Sequence, residues 1–180
     1  MSGKDVTHRS PGPGWRAAAL ALTCLAAAAT PAVAQDRPAG GGAVLLSFGP
    51  DLGASGTRTW REGYATAEYR SDRPLWRGVR PLYGLALSRQ GAVLATVGVH
   101  GVLRLGPVEV TPHFGLGLWQ DGRGRFDGRE LLQFRSGIDA FLPLSDRASV
   151  GLGYYHVSNA GITRRSADLD VIRLSLLWRL

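Results

Sequence analysis

The sequence predicts an all-β protein, an exported eight-stranded antiparallel transmembrane β-barrel. Three observations predict it. The chain opens on a secretory signal, no later apolar run is long enough for a membrane helix, and eight short segments alternate apolar with polar residues.

Residues 1–34 carry the signal. Lys4, Arg9 and Arg16 form a basic n-region, Ala17 to Ala29 a short apolar h-region, and Ala32-Val33-Ala34 a small-residue cleavage site before Gln35. The apolar run is too short and too rich in Ala to span a membrane as a helix. Cys24 within it raises a lipoprotein signal as the alternative, but Ala21-Leu22-Thr23 lacks the usual Leu and small residues before that Cys. The mature chain, 35–180, is then one barrel domain without cysteine, which excludes disulfides and thiolate–metal sites. The signal holds three basic residues and one acidic, so its removal lowers the formal net charge from +7 to +5. Lys4 is the only lysine, and every later basic residue is arginine. Arginine grips phosphate as a bidentate fork. In an exported chain that points to lipid headgroups and away from nucleic acid, although a bias of genome composition explains the arginines equally well.

The eight segments are 43–49, 60–70, 79–88, 92–105, 107–119, 130–142, 148–158 and 168–180, broken by Gly, Pro, Asp and Ser clusters. The first two alternate least clearly. In 92–105 one face carries Val93, Ala95, Val97, Val99, Leu103 and Leu105, against Thr96, Gly98, His100 and Arg104. In 107–119, Val108, Val110, Phe114, Leu116 and Leu118 oppose Glu109, Thr111, His113, Gly115, Gly117 and Trp119. In 130–142, Leu132, Phe134, Ile138, Ala140 and Leu142 oppose Gln133, Arg135, Gly137 and Asp139. The last segment sets Ile172, Leu174, Leu176, Trp178 and Leu180 against Arg173, Ser175 and Arg179. A soluble β-sandwich or lipocalin-like barrel also alternates. Here the polar face mixes Gly with charges, which suits the tight lumen of a small barrel, and the apolar face is tall. Strands of about 9–11 residues cross a membrane when tilted, and closure leaves no edge exposed to lipid.

With both termini in the periplasm, the connections 71–78, Gly106-Pro107 and 143–147 face inward to the cell. Those at 50–59, 120–129 and 159–167 face outward and are longer, the expected asymmetry, with Arg89-Gln90-Gly91 a short exception.

Most polar residues read as lumen furniture. His100 and His113, on neighbouring strands near Glu109 and Arg104, fit an internal polar network better than a metal site, and Arg135 with Asp139 reads as a lumen pair. There is no Gly-x-Ser-x-Gly elbow, phosphate loop or helical zinc motif. Segment 148–158 differs. It puts Val150, Leu152, Tyr154, His156 and Ser158 on one face, with Gly151, Gly153, Tyr155 and Val157 on the other. The first face is the bulky, lipid-facing one, where a His and a Ser are costly without a partner. A register with His156 opposite Asp170 also sets Ser158 opposite Asp168, and opposed Cβ atoms lie about 4.5–5.5 Å apart. Ser, His and a carboxylate would converge as nucleophilic acyl transfer requires. The alternative is a His and a Ser resting at the polar membrane interface.

His156-Val-Ser158-Asn159-Ala160-Gly161-Ile162, followed by Asp170 in a terminal alternating strand, resembles the His-x-Ser-Asn-Ala pattern of the lipid A 3-O-deacylase family (PagL-like). The close match spans about 30 residues. The resemblance implies an outer-membrane serine esterase that hydrolyses the acyl chain ester-linked at the 3-position of lipid A in lipopolysaccharide. Ser158 would be the nucleophile, His156 the general base, Asp170 the third member and Asn159 an activity-supporting residue. Backbone N–H groups from Asn159 to Gly161 would stabilise the oxyanion. No metal or organic cofactor is implied. The better-known members carry Glu in place of Asp170, and often an Asn-Pro-Gly-like turn where this chain has Ser166-Ala167-Asp168-Leu169, which leaves Asp168 as an alternative acid. Ser158 and His156 fall at the extracellular end of their strand, level with the leaflet that holds lipopolysaccharide, and Arg164 and Arg165 could meet the lipid A phosphates. The competing functions are a non-catalytic structural or adhesive barrel and a soluble lipid-binding barrel. A homodimer gating the substrate stays open, with no interface pattern to support it.

Overall fold

The computed structural model describes residues 41–53, 63–120, 131–162 and 168–180. The predicted signal at 1–34, the start of the second segment and the Arg164-Arg165 pair lie outside them. The strands are β1 (Ala43–Pro50), β2 (Gly63–Arg70), β3 (Arg80–Ser88), β4 (Val93–His100), β5 (Leu103–Leu105), β6 (Val108–Gln120), β7 (Leu132–Pro143), β8 (Ala148–Ser158) and β9 (Leu169–Arg179). Consecutive strands pair antiparallel except β4 with β5; β4 pairs instead with β6, and β1 pairs with β9, which closes the sheet. β4 and β5 are one stave, since both follow a single register on β6. The interruption has a local cause. Gly101 N–H donates to Pro112 O at 3.0 Å, and Pro112 has no N–H to return. The barrel is therefore eight-stranded, as predicted.

Exposure alternates along every long strand and follows the predicted faces. The outer wall is apolar, with Phe48 and Leu152 each 64% exposed and Leu116, Leu174 and Trp178 around it. Such a surface on a closed barrel is what lipid requires.

The lumen is filled in three layers. Tyr64, Ala86, Leu94, Tyr155, Val157, Leu169 and Val171 pack one end, with Trp119 against them, and Ala43, Leu45, Phe141 and Leu177 pack the other. Between them lies a buried charge network. Arg173 Nη1 donates to Glu68 Oε1 at 2.5 Å, and its Nε and Nη2 grip Asp139 at 2.9 and 2.8 Å. Arg70 Nη2 bridges Glu68 and Asp139 at 2.9 and 2.6 Å, and Arg135 Nη2 donates to Glu68 Oε1. Inward glycines make the room: a Cβ on Gly153 would sit 1.8 Å from Asp139 Oδ1.

One expectation is corrected. Arg135 and Asp139 share the lumen but do not pair, because residues four apart on a strand stand about 13 Å apart along it. Their partners come from across the barrel, Glu68 for Arg135, and Arg70 with Arg173 for Asp139. The histidines are internal, though with other neighbours than expected. His113 Nε2 lies 3.4 Å from Asp139, His100 Nε2 lies 3.2 Å from the Ser71 carbonyl, Glu109 meets Arg179, and Arg104 is exposed. Among the described residues no His, Cys, Asp and Glu cluster could hold a metal ion.

Candidate active site

The face that β8 turns outward follows from what it must bury. Gly151 and Gly153 pass under Phe141 and Asp139, and the inward Tyr155 ring lies beneath the Arg135 and Arg173 guanidiniums at 4.2 and 5.2 Å. Period-two alternation then sends Tyr154, His156 and Ser158 to the outer surface. β9 buries Leu169, Val171 and Arg173, which turns Asp170 outward as well.

The register brings the imidazole and the carboxylate together. His156 lies opposite Asp170, as expected from the sequence, and Tyr154 opposite Ile172; the ladder ends with Val157 opposite Leu169, so the expected pairing of Ser158 with Asp168 is not among its pairs. His156 Nδ1 stands 2.9 Å from Asp170 Oδ1. Both side chains are partly covered, 36% and 21% exposed. An ionised carboxylate only accepts, so Nδ1 carries the proton and Nε2 of the neutral ring is left as an acceptor. Asp168 is exposed, sits before β9 with φ 39°, and is not the carboxylate against the imidazole. Parity alone could not separate these two acids, since both face outward. Ser158 ends β8 on the same face as His156, half-buried and opposite Phe134.

After Ser158 the chain turns sharply. Ala160 and Gly161 take φ of 53° and 78°, and the left-handed conformation costs Ala160 on the order of 1–2 kcal/mol. The buried Asn159 holds the turn: its Oδ1 accepts from Gly161 N–H at 3.0 Å and its carbonyl from Ile162 N–H at 3.1 Å. The Gly161 N–H expected at the oxyanion is thus engaged within the turn.

Two neighbours of the acid carried no role in the sequence reading. The Tyr154 hydroxyl donates to Asp170 Oδ1, the same oxygen that meets the imidazole. Asp51, just past β1, accepts the Asp170 N–H at 3.1 Å and the Gly53 N–H at 3.0 Å through Oδ1. Tyr154 had a signal in its parity, which it shares with His156; Asp51 had none, because β1 and β9 are joined only by closure of the barrel.

Comparison with known proteins agrees with this architecture. No curated protein matches the chain in sequence. The crystal structure of the outer membrane enzyme PagL aligns with a TM-score of 0.56 at 16% identity, over 77% of this chain and 99% of that one. A de novo designed transmembrane β-barrel aligns with a TM-score of 0.54 at 9% identity, over 78% and 97%. The solution structure of the designed barrel TMB2.3 gives 0.53 at 14%, over 80% and 98%. At these identities the likeness establishes the fold. The sequence model of one family, described as lipid A 3-O-deacylase (PagL), matches residues 46–179. That match runs from β1 to the end of β9, through both strands that bear the imidazole and its carboxylate, and so the chain belongs to the lipid A 3-O-deacylase (PagL) family.

Proposed function

We propose that this outer-membrane barrel is an esterase that releases the acyl chain ester-linked at the 3-position of lipid A. The observation that carries the reading is the 2.9 Å contact of His156 Nδ1 with Asp170 Oδ1 on the outer wall, with Ser158 next on that face. A wall that contacts lipid suits a substrate whose acyl chains already lie in the bilayer. The start of β1 and the end of β9, where Ala43 pairs with Arg179, lie at the opposite end of the barrel from the site. With the termini in the periplasm, the site is level with the outer leaflet.

In the proposed reaction His156 Nε2 takes the Ser158 hydroxyl proton as Oγ attacks the ester carbonyl. Asp170 holds the ring in the required tautomer and stabilises the imidazolium. The tetrahedral oxyanion is met by backbone N–H groups of the Asn159–Ala160 turn. The intermediate collapses with cleavage of the bond to the sugar oxygen, which leaves as a hydroxyl carrying the imidazolium proton. Water, activated by the same imidazole, then splits the acyl-Ser158 ester, freeing the fatty acid and restoring the serine.

The test is expression in a Gram-negative host followed by mass spectrometry of lipid A. Loss of one 3-hydroxyacyl group is expected with the intact chain and not with Ser158→Ala or His156→Ala. Unchanged lipid A beside a correctly inserted, heat-modifiable barrel would overturn the reading in favour of a non-catalytic barrel.

A further inference from the structure

We infer that Tyr154 is a positioning residue for the proposed reaction, its hydroxyl holding the Asp170 carboxylate in the orientation that receives the His156 imidazole. The inference rests on the esterase reading and deepens it.

The geometry supplies the reason. Tyr154 pairs with Ile172 and His156 with Asp170, so Tyr154 is the diagonal neighbour of the acid. Diagonal neighbours lie about 7–8 Å apart, a gap that an aromatic side chain spans and a serine or threonine does not. The ring lies on the outer wall beside Leu152 and Ile172, both exposed. A hydroxyl in that apolar setting needs a partner, and Asp170 Oδ1 provides it.

The contact also completes the restraint on the acid. The Asp170 backbone is already fixed on both sides, its N–H given to Asp51 Oδ1 at 3.1 Å and its carbonyl accepting from Leu52 N–H at 2.7 Å. What remains free is rotation of the carboxylate. A single donor on Oδ1 leaves the group able to swing about its Cβ–Cγ bond; two donors arriving from Tyr154 and His156 along different directions do not. The hydroxyl therefore acts through Asp170.

The experiment compares wild type, Tyr154→Phe, Asp170→Asn and the double variant as full chains refolded in detergent micelles, with lipopolysaccharide as substrate. Phe keeps the ring and any anchoring it gives at the membrane interface. Loss of a hydrogen bond to a charged acceptor predicts a kcat about tenfold lower in Tyr154→Phe, with KM unchanged. In the Asp170→Asn background the same change should alter kcat by less than about twofold, because coupled residues are not additive. Wild-type kcat in Tyr154→Phe, or an equal loss in both backgrounds, overturns the proposal. A second readout needs no turnover: the His156 Nδ1 proton resonance should move to lower field in Tyr154→Phe, where Oδ1 serves one donor in place of two. A wild type that releases no acyl chain defeats the esterase reading, and the resonance then decides alone, its shift supporting the contact and its constancy overturning it.

Discussion

Replacing Asp170 by Asn tests the site most directly. The side chain keeps its shape and loses its charge. In the proposed reaction an imidazolium forms on His156, whose Nδ1 is 2.9 Å from Asp170 Oδ1, and the carboxylate would stabilise that cation. Taking the charge centres as about 4 Å apart and an effective dielectric of about 20, the attraction is about 4 kcal/mol. At about 1.4 kcal/mol per decade, that corresponds to roughly a thousandfold in rate. His156 is 36% exposed, so solvent screens part of the attraction, and a loss of about 100- to 1,000-fold in kcat is expected. The amide can also donate to Nδ1, which would place the proton on Nε2 and remove the base. The assay is the time course of 3-hydroxyacyl release from lipopolysaccharide, with Ser158→Ala setting the zero and heat-modifiable migration confirming the barrel. Asp168→Asn, in parallel, should retain nearly full activity. An Asp170→Asn protein within about threefold of wild type, or a collapse in Asp168→Asn instead, would refute the assignment of the acid.

The lumen makes two further predictions, both read as the urea midpoint of barrels refolded in lipid vesicles. Glu68→Gln removes the carboxylate that Arg70, Arg135 and Arg173 share, which leaves Arg70 and Arg173 to Asp139 and takes from Arg135 the carboxylate it pairs with, and should cost about 3–5 kcal/mol; a change under about 1 kcal/mol would show the network relaxing or hydrating freely. Gly153→Ala puts a methyl 1.8 Å from Asp139 Oδ1 and 3.2 Å from Arg173 Nε, so it should cost about 1–3 kcal/mol by forcing that pair apart. A neutral outcome there would mean that the carboxylate can move aside without loss.

Alternation along the chain determined a great deal by itself. Side chains on a strand point to opposite faces with a period of two, a local property that needs no partner strand. Hence the strand count, the apolar wall, the inward glycines and the outward parity of His156, Ser158 and Asp170 were legible residue by residue. The outward parity of Tyr154 was legible too, but nothing local announced what its hydroxyl would meet. Pro112, visible in the sequence, also explains the break in the stave opposite it.

Only the tertiary structure decided which residues meet. Asp168 and Asp170 have the same parity, and the β8–β9 register alone sets the second against His156. Glu68 on β2 meets Arg135 and Arg173 across the lumen, and Asp51 reaches Asp170 because β1 zips to β9. Such contacts join residues 67 to 119 positions apart. They depend on how far each strand slides against the next as the sheet closes, a quantity that belongs to the whole barrel and is written in no single strand.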